Sequence, residues 1–305
     1  MNFAGLIRLF LFPGLLFAIP AGWFFVWAEH KVVARIQRRI GPPLLQPFWD
    51  FVKLLGKRTP ARRGIDANLL RLYPVLSIGS LIAALALLPV FPANAGGFSG
   101  DCILLVGLME VPSVCYILAG FTSGSIYGEI GAIREALLSV ASNVVMLISL
   151  VTIAVTAKSF HLTDLAGPSL NPGHWVGVLG LLLCIPAKLR LNPFSTAGAE
   201  QEIYAGSLTE YAGAALGLWE LAHALEWLLL TGLVATLVLP TTLAWWIYAP
   251  AFFVVSFVEV LLLSAVAAGT ARLTLERSIN FYWRWAAVLA CMAIISSAVM
   301  MRFHL

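Results

Sequence analysis

Residues 212–239 read AGAALGLWELAHALEWLLLTGLVATLVL, an apolar run without a single basic residue, interrupted only by Glu220, His223 and Glu226. The run exceeds the roughly 20 residues that cross about 30 Å of hydrocarbon as a helix. A charged side chain at the bilayer centre costs at least about 2.5–3.5 kcal/mol, so such groups turn toward a protein interior or a file of water. The following run, 243–269, holds a further acid, Glu259. Proton or ion handling is therefore the first functional expectation.

Outward from this stretch, the composition of the 305-residue chain has the same character. It is 60% hydrophobic and 11% charged, with a mean hydropathy of +0.91; soluble domains carry about 25% charged residues. Long apolar runs fall near 3–27, 70–91, 102–121, 136–157, 174–187, 212–239, 243–269 and 283–301. The expected fold is an all-α integral membrane protein of about eight transmembrane helices, one polytopic domain over 1–305. The fifth run is the shortest and Pro186 interrupts its end. A strand barrel is disfavoured because the runs are continuously apolar and do not alternate. The first run is too long for the apolar region of a cleaved signal, so it is expected to remain as a span.

Basic residues set the expected orientation. Of nineteen Lys and Arg, Lys158 and Arg302 fall on one side and Arg8 lies inside the first run; the other sixteen share the opposite set of loops. By the positive-inside rule that set is cytoplasmic, which places both termini on the outer side of a cytoplasmic (inner) membrane. Cys102, Cys115, Cys184 and Cys291 stand singly in apolar runs. They read as small buried apolar residues, and no metal site or cluster is expected in this chain.

Three cytoplasmic segments hold most of the polar residues. In 28–66, Val32, Val33, Ile36 and Ile40 form one helical stripe, Gly41-Pro42-Pro43 breaks it, and Phe48, Phe51, Val52, Leu54 and Leu55 form a second. Two short amphipathic helices lying in the interface fit this pattern; a basic loop adhering to anionic lipid is the plainer alternative. Segment 122–135 is punctuated by Gly124, Gly128 and Gly131, which implies close backbone approach, and ends on Arg134-Glu135. Arg134 has Glu135 or a lipid phosphate as its simplest partner. The segment matches no nucleotide-binding spacing, and no nucleic acid is expected as a partner. Segment 188–211 carries Glu200, Glu202 and Glu210 just before the run with Glu220, His223 and Glu226, an order that fits either solvated acids or an entry path for protons.

The three intramembrane groups are spaced by three, which turns each about 60° from the last and leaves all on one broad helical face. They read either as a conducting ladder or as a static cluster locking helices together. Glu110, two residues before Pro112, is either beside a loosened backbone that seats a water or ion, or at a packing kink. Glu259 needs a partner from another helix, and Glu220 or Glu226 is the expected one.

Residues 34–43 (ARIQRRIGPP), with Gln46-Pro47 and 50–55 (DFVKLL), resemble the first cytoplasmic loop of the quinone-chamber membrane subunit of respiratory complex I. They are more similar still to the equivalent subunit of energy-converting membrane-bound NiFe hydrogenases, formate hydrogenlyase included. Residues 131–136 (GAIREA), Glu200-Gln201-Glu202, Gly206, Glu210-Tyr211, Gly213 and Ala271-Arg272-Leu273 resemble later loops of that family, in order. The resemblance implies a membrane anchor without a redox centre of its own, beneath hydrogenase large and small (iron–sulfur) subunits and beside antiporter-like membrane subunits, in contact with membrane lipid. The NiFe centre and iron–sulfur clusters would belong to those partners. It implies coupling of their electron transfer to proton or sodium movement; the cost and clustering of the acids themselves point to an ion pathway through Glu110, Glu200, Glu202, Glu210, Glu220, His223, Glu226 and Glu259. The soluble arm would rest on Arg35, Arg38, Arg39, Gly41, Pro42, Gln46, Asp50, Lys53, Arg134 and Glu135. One family glutamate is replaced here by Asn143, and a family Ala-Glu by Ala222-His223. The short chain and Arg134-Glu135 lean toward the hydrogenase type. A quinone pocket built from the same loops, and a passive anchor, are the alternatives; an independent transporter lacks the expected inverted repeat.

Overall fold

The structure, a computed structural model, describes residues 15–57, 67–89, 98, 100–198 and 200–303. Among these there is no strand. Helices α1 (Leu15–Ile36), α2 (Gln46–Leu55), α3 (Ala67–Leu87), α4 (Asp101–Thr122) and α5 (Ile126–Ala157) precede a one-turn α6 (Leu162–Leu165). Then come α7 (Pro172–Lys188), one-turn α8 (Glu200–Ile203), α9 (Gly213–Val238), α10 (Trp245–Gly269) and α11 (Leu275–Phe303). Five of them, α3, α4, α5, α9 and α10, are long and apolar enough to cross a membrane, so the chain is a multi-pass membrane protein.

The stretch 212–239 becomes α9, and α9 is the hub. It packs against α1, α2, α3, α7 and α10, and 89% of its apolar window is buried, against 33% for α10. Lipid tails are as apolar as leucine, so helices in a bilayer associate through close packing, which small residues permit. Gly22 of α1 shows this. A Cβ there would come within 2.5 Å of the Ala224 carbonyl oxygen of α9. On the other side of α1, Phe24 and Phe25 pack against Phe253 and Phe257 of α10, with ring centroids 5.3–6.5 Å apart.

Several boundaries differ from the sequence expectation. The stripe Val32–Ile36 is no separate interfacial helix; it is the end of α1, which continues to Ile36 before Arg38 and Gly41 turn the chain at φ 60° and 74°. Trp27 Nε1 and Lys31 Nζ donate to the Pro42 carbonyl at 3.2 and 3.3 Å, folding the Gly-Pro-Pro turn back on α1. The second stripe forms α2, where Gln46 Nε2 donates to Asp50 at 2.9 Å. Residues 126–135 are helical rather than loop, so α5 starts ten residues ahead of the apolar run. Its glycines do not break it because a neighbouring backbone replaces their missing side chains: a Cβ on Gly131 would lie 2.8 Å from Gly206 Cα. Pro186 is accommodated inside α7, which ends only at Lys188. Cys102, Cys115 and Cys184 are buried, but Cys291 is exposed on α11. Arg8, Arg58, Arg62, Arg63, the first part of the first run and the side chains of Glu200 and Arg302 lie outside the described residues.

Candidate functional site

The site is organised by the end of α7. Lys188 closes the helix, and Arg190 then adopts a left-handed φ of 56°, a conformation that costs a non-glycine residue about 1–2 kcal/mol. The turn sends two cations, two residues apart, into different buried clusters.

Lys188 Nζ lies 2.5 Å from Glu110 Oε1, and Asn143 Nδ2 donates to Glu110 Oε2 at 2.7 Å. This cluster joins α7 to α4 and α5. One ammonium against one carboxylate leaves it neutral. Both Glu110 oxygens thus have protein partners, one of them supplied by Asn143.

Arg190 forks between two acids. Its Nη2 is 2.6 Å from Glu226 Oε2 on α9, and its Nη1 is 3.4 Å from Glu135 Oε1 on α5. The guanidinium also stands 4.6 Å above the ring of Tyr116 on α4, where the π-face attracts it. Burial favours loss of the Arg190 proton, yet the facing Glu226 and Glu135 hold it more firmly than in an ordinary arginine. Glu135 Oε2 is buried and finds no hydrogen-bond partner among the described residues. One guanidinium thus faces two carboxylates directly, and the Lys188 ammonium acts on both at longer range. His223 Nδ1 lies 3.6 Å from the same Glu226 oxygen, an ion-pair distance too long for a hydrogen bond.

His223 also faces a cavity of about 490 Å³, whose walls include Trp23 and Glu29 of α1, Asp50 of α2, Arg190, and Glu220 of α9. The three-residue spacing thus separates the ladder into an exposed Glu220, a half-buried His223 and a buried Glu226. Glu259 does not join them. Its Oε2 is buried on α10 with no hydrogen-bond partner among the described residues, so the expected pairing with Glu220 or Glu226 does not form.

On the loops, Arg134 does not pair with its neighbour Glu135. It reaches Glu202 at 2.5 Å and the Thr196 carbonyl at 3.5 Å; successive side chains on α5 point about 100° apart, so Arg134 and Glu135 meet different parts of the 188–211 segment, Glu135 facing Arg190. That hydrogen bond and charge hold the Glu202 carboxyl below the usual range. Glu202 and Glu210 line an open cleft with Tyr127 and Tyr204. Arg35, Arg38, Arg39 and Lys53 are exposed, and Lys53 is 3.9 Å from Asp50. No group of three or more His, Cys, Asp or Glu among the described residues is placed to hold a metal ion.

Sequence reading missed the organising residues. Lys188 and Arg190 served only as basic markers of sidedness, and Tyr116 and Asn143 were not read as binding groups. The available signal was Lys-x-Arg directly abutting an apolar run, which places two cations within reach of intramembrane acids.

The chain matches the family model described as NADH dehydrogenase over residues 9–298. It is 32% identical to Hydrogenase-4 component C of Escherichia coli (strain K12) over 228 residues, 71% of this chain and 70% of that protein. Formate hydrogenlyase subunit 4 of the same organism is 32% identical over 61% of this chain and 62% of its own length. An NADH-quinone oxidoreductase subunit of Desulfotalea psychrophila (strain LSv54 / DSM 12343) is 29% identical over 64% and 66%. In three dimensions the fold is similar to a chain in the structure of the membrane-bound sulfane sulfur reductase (MBS), an archaeal respiratory membrane complex, with TM-score 0.86, 26% identity and coverage of 96% and 99%. A match over nearly the whole length, relatives above 30% identity and a shared helical fold together make this protein a member of the NADH dehydrogenase family.

Proposed function

We propose that this chain is the membrane subunit that anchors the hydrophilic NiFe and iron–sulfur arm of a hydrogenase-type complex and couples its electron transfer to proton or sodium movement. The observation that carries the reading is the Arg190 cluster: two buried carboxylates around one guanidinium, with Arg190 and His223 both lining a cavity beside the first cytoplasmic loop. Two buried carboxylates around one guanidinium can exchange a proton between a neutral state and one with a single excess negative charge, and the adjoining cavity gives that proton a route. Two relatives at 32% identity bear the names Hydrogenase-4 component C and Formate hydrogenlyase subunit 4. Redox centres belong to the partners, hydrogenase large and small subunits, with antiporter-like subunits alongside.

In this reading α1, α7 and α11 are spans as well, making eight, and α2 lies in the interface with Phe48, Trp49 and Val52 outward. At about 1.5 Å per residue, α7 covers about 25 Å and needs a thinned bilayer or snorkelling flanks. The basic loops are cytoplasmic and both termini outside, in the inner membrane.

The experiment is redox-driven ion uptake by the purified complex in proteoliposomes. Glu226→Gln is expected to keep electron transfer while losing at least about tenfold in ion uptake, a loss of about 1.4 kcal/mol in coupling. Wild-type uptake in that variant would overturn the reading. Charge reversal at Arg38 and Arg39 should release the soluble arm on size exclusion; an intact complex would remove those residues from the docking surface. A second reading, a quinone chamber, is favoured by the size of the 490 Å³ cavity and its aromatic walls at Trp23 and Trp219. Co-purification with an NADH-oxidising module in place of a nickel-bearing subunit decides for it.

A further inference from the structure

Away from the buried clusters, the outward face of α11 changes character along its length. Ser278, Tyr282, Ala286 and Leu289 form its buried face, and Tyr282 Oη donates to the Leu183 carbonyl of α7 at 3.0 Å. Arg277 and Arg284 stand on the other side. Seven residues apart, they differ by about 20° around the axis and about 10 Å along it. Both are exposed, and neither guanidinium is in an ion pair among the described residues. With Asn280, Phe281, Trp285 and Leu273 they line an open cleft of about 520 Å³. The only nearby acid on the helix, Glu276, is turned about 100° from Arg277. Between residues 288 and 295 the same outward face presents Val288, Met292 and Ile295, exposed at 46%, 42% and 62%.

A polar, basic and tryptophan-flanked turn running into an exposed apolar stripe is the profile of a helix crossing from headgroups into hydrocarbon. We propose that this face binds one anionic phospholipid, its phosphate held between Arg277 and Arg284 and an acyl chain lying along Val288, Met292 and Ile295. Long arginine side chains on one helical face can converge on a phosphate in the cleft between them, each through paired hydrogen bonds. The net negative charge distinguishes the ligand: phosphatidylcholine carries the same phosphate but a compensating ammonium.

The test uses the intact complex in nanodiscs doped with photoactivatable phosphatidylglycerol or phosphatidylcholine, with cross-links mapped by mass spectrometry. Phosphatidylglycerol is expected to label residues 284–295 of α11 above phosphatidylcholine by roughly 25-fold, about fivefold per arginine. The variant Arg277→Gln with Arg284→Gln is expected to bring the two lipids level. Equal labelling in the wild type overturns the proposal, as does absence of label because another subunit covers the face. So does a preference that survives the double variant, or loss of label to millimolar inorganic phosphate, which marks a site for the free anion. The wild-type comparison stands even if the double variant assembles poorly.

Discussion

Lys188 and Arg190 are two residues apart and serve two buried clusters of opposite kind. The Lys188 cluster is balanced, one cation to one carboxylate, with Asn143 occupying the second carboxylate oxygen, and the void beside it holds only about 10 Å³. The Arg190 cluster carries two carboxylates on one cation, and Arg190 itself, with His223, lines a cavity of about 490 Å³. Burying ions tells little about function, since a well-paired buried pair is often exchangeable for apolar side chains. Imbalance and access are the informative features: only the second cluster has both a use for a further proton and a route to it.

The largest effect is expected from Arg190→Ala, which strands two buried carboxylates at once and should cost about 3–5 kcal/mol, measured by chaotrope unfolding of the purified subunit or its loss from the membrane. A smaller cost for Arg190→Ala than for Lys188→Ala would break the comparison. Asn143→Ala leaves Glu110 with Lys188 alone and is expected to cost about 1.5–3 kcal/mol, the worth of a hydrogen bond to a charged group, on the same assay. Replacing the balanced cluster whole, Glu110→Leu with Asn143→Leu and Lys188→Met, should be close to neutral in stability and leave ion uptake unchanged. Loss of uptake there would put the balanced cluster on the ion path as well.

The smallest effect concerns the loops. Arg134 holds Glu202 below the ordinary carboxylate range in the folded state, so the pair's contribution is fully present above that range and is lost as pH falls through the lowered folded value. Hydrogen exchange of residues 196–208 should therefore quicken only at strongly acid pH, and Glu202→Gln should remove that acid limb. Glu202 is half exposed, so high salt should mimic the variant.

Much of the membrane architecture was legible from composition, because length and apolarity alone decide whether a segment can cross hydrocarbon. The apolar runs from 70 onward all became helices. Boundaries were less legible: 126–135 looked like a glycine-rich loop, and only the backbone of Gly206 and Ser207 packed against Gly131 keeps it helical. Of the expected ion path, Glu226 and His223 are brought together, Glu220 is left at the cavity and Glu259 stands apart. The helical period states which residues share a face, but not what the neighbouring helix presents to it.

From residues alone came the membrane class, the apolar helix that carries Glu220, His223 and Glu226, and the family resemblance, all of which depend on local hydropathy, spacing or motif. Partner choice belonged to the tertiary structure. Arg134 to Glu202, Lys188 to Glu110, and Arg190 to Glu135 and Glu226 are contacts between residues 36 to 78 positions apart. Coulomb attraction acts on distance in space, and no period along the chain encodes which distant acid a turn such as that at Arg190 will bring within reach.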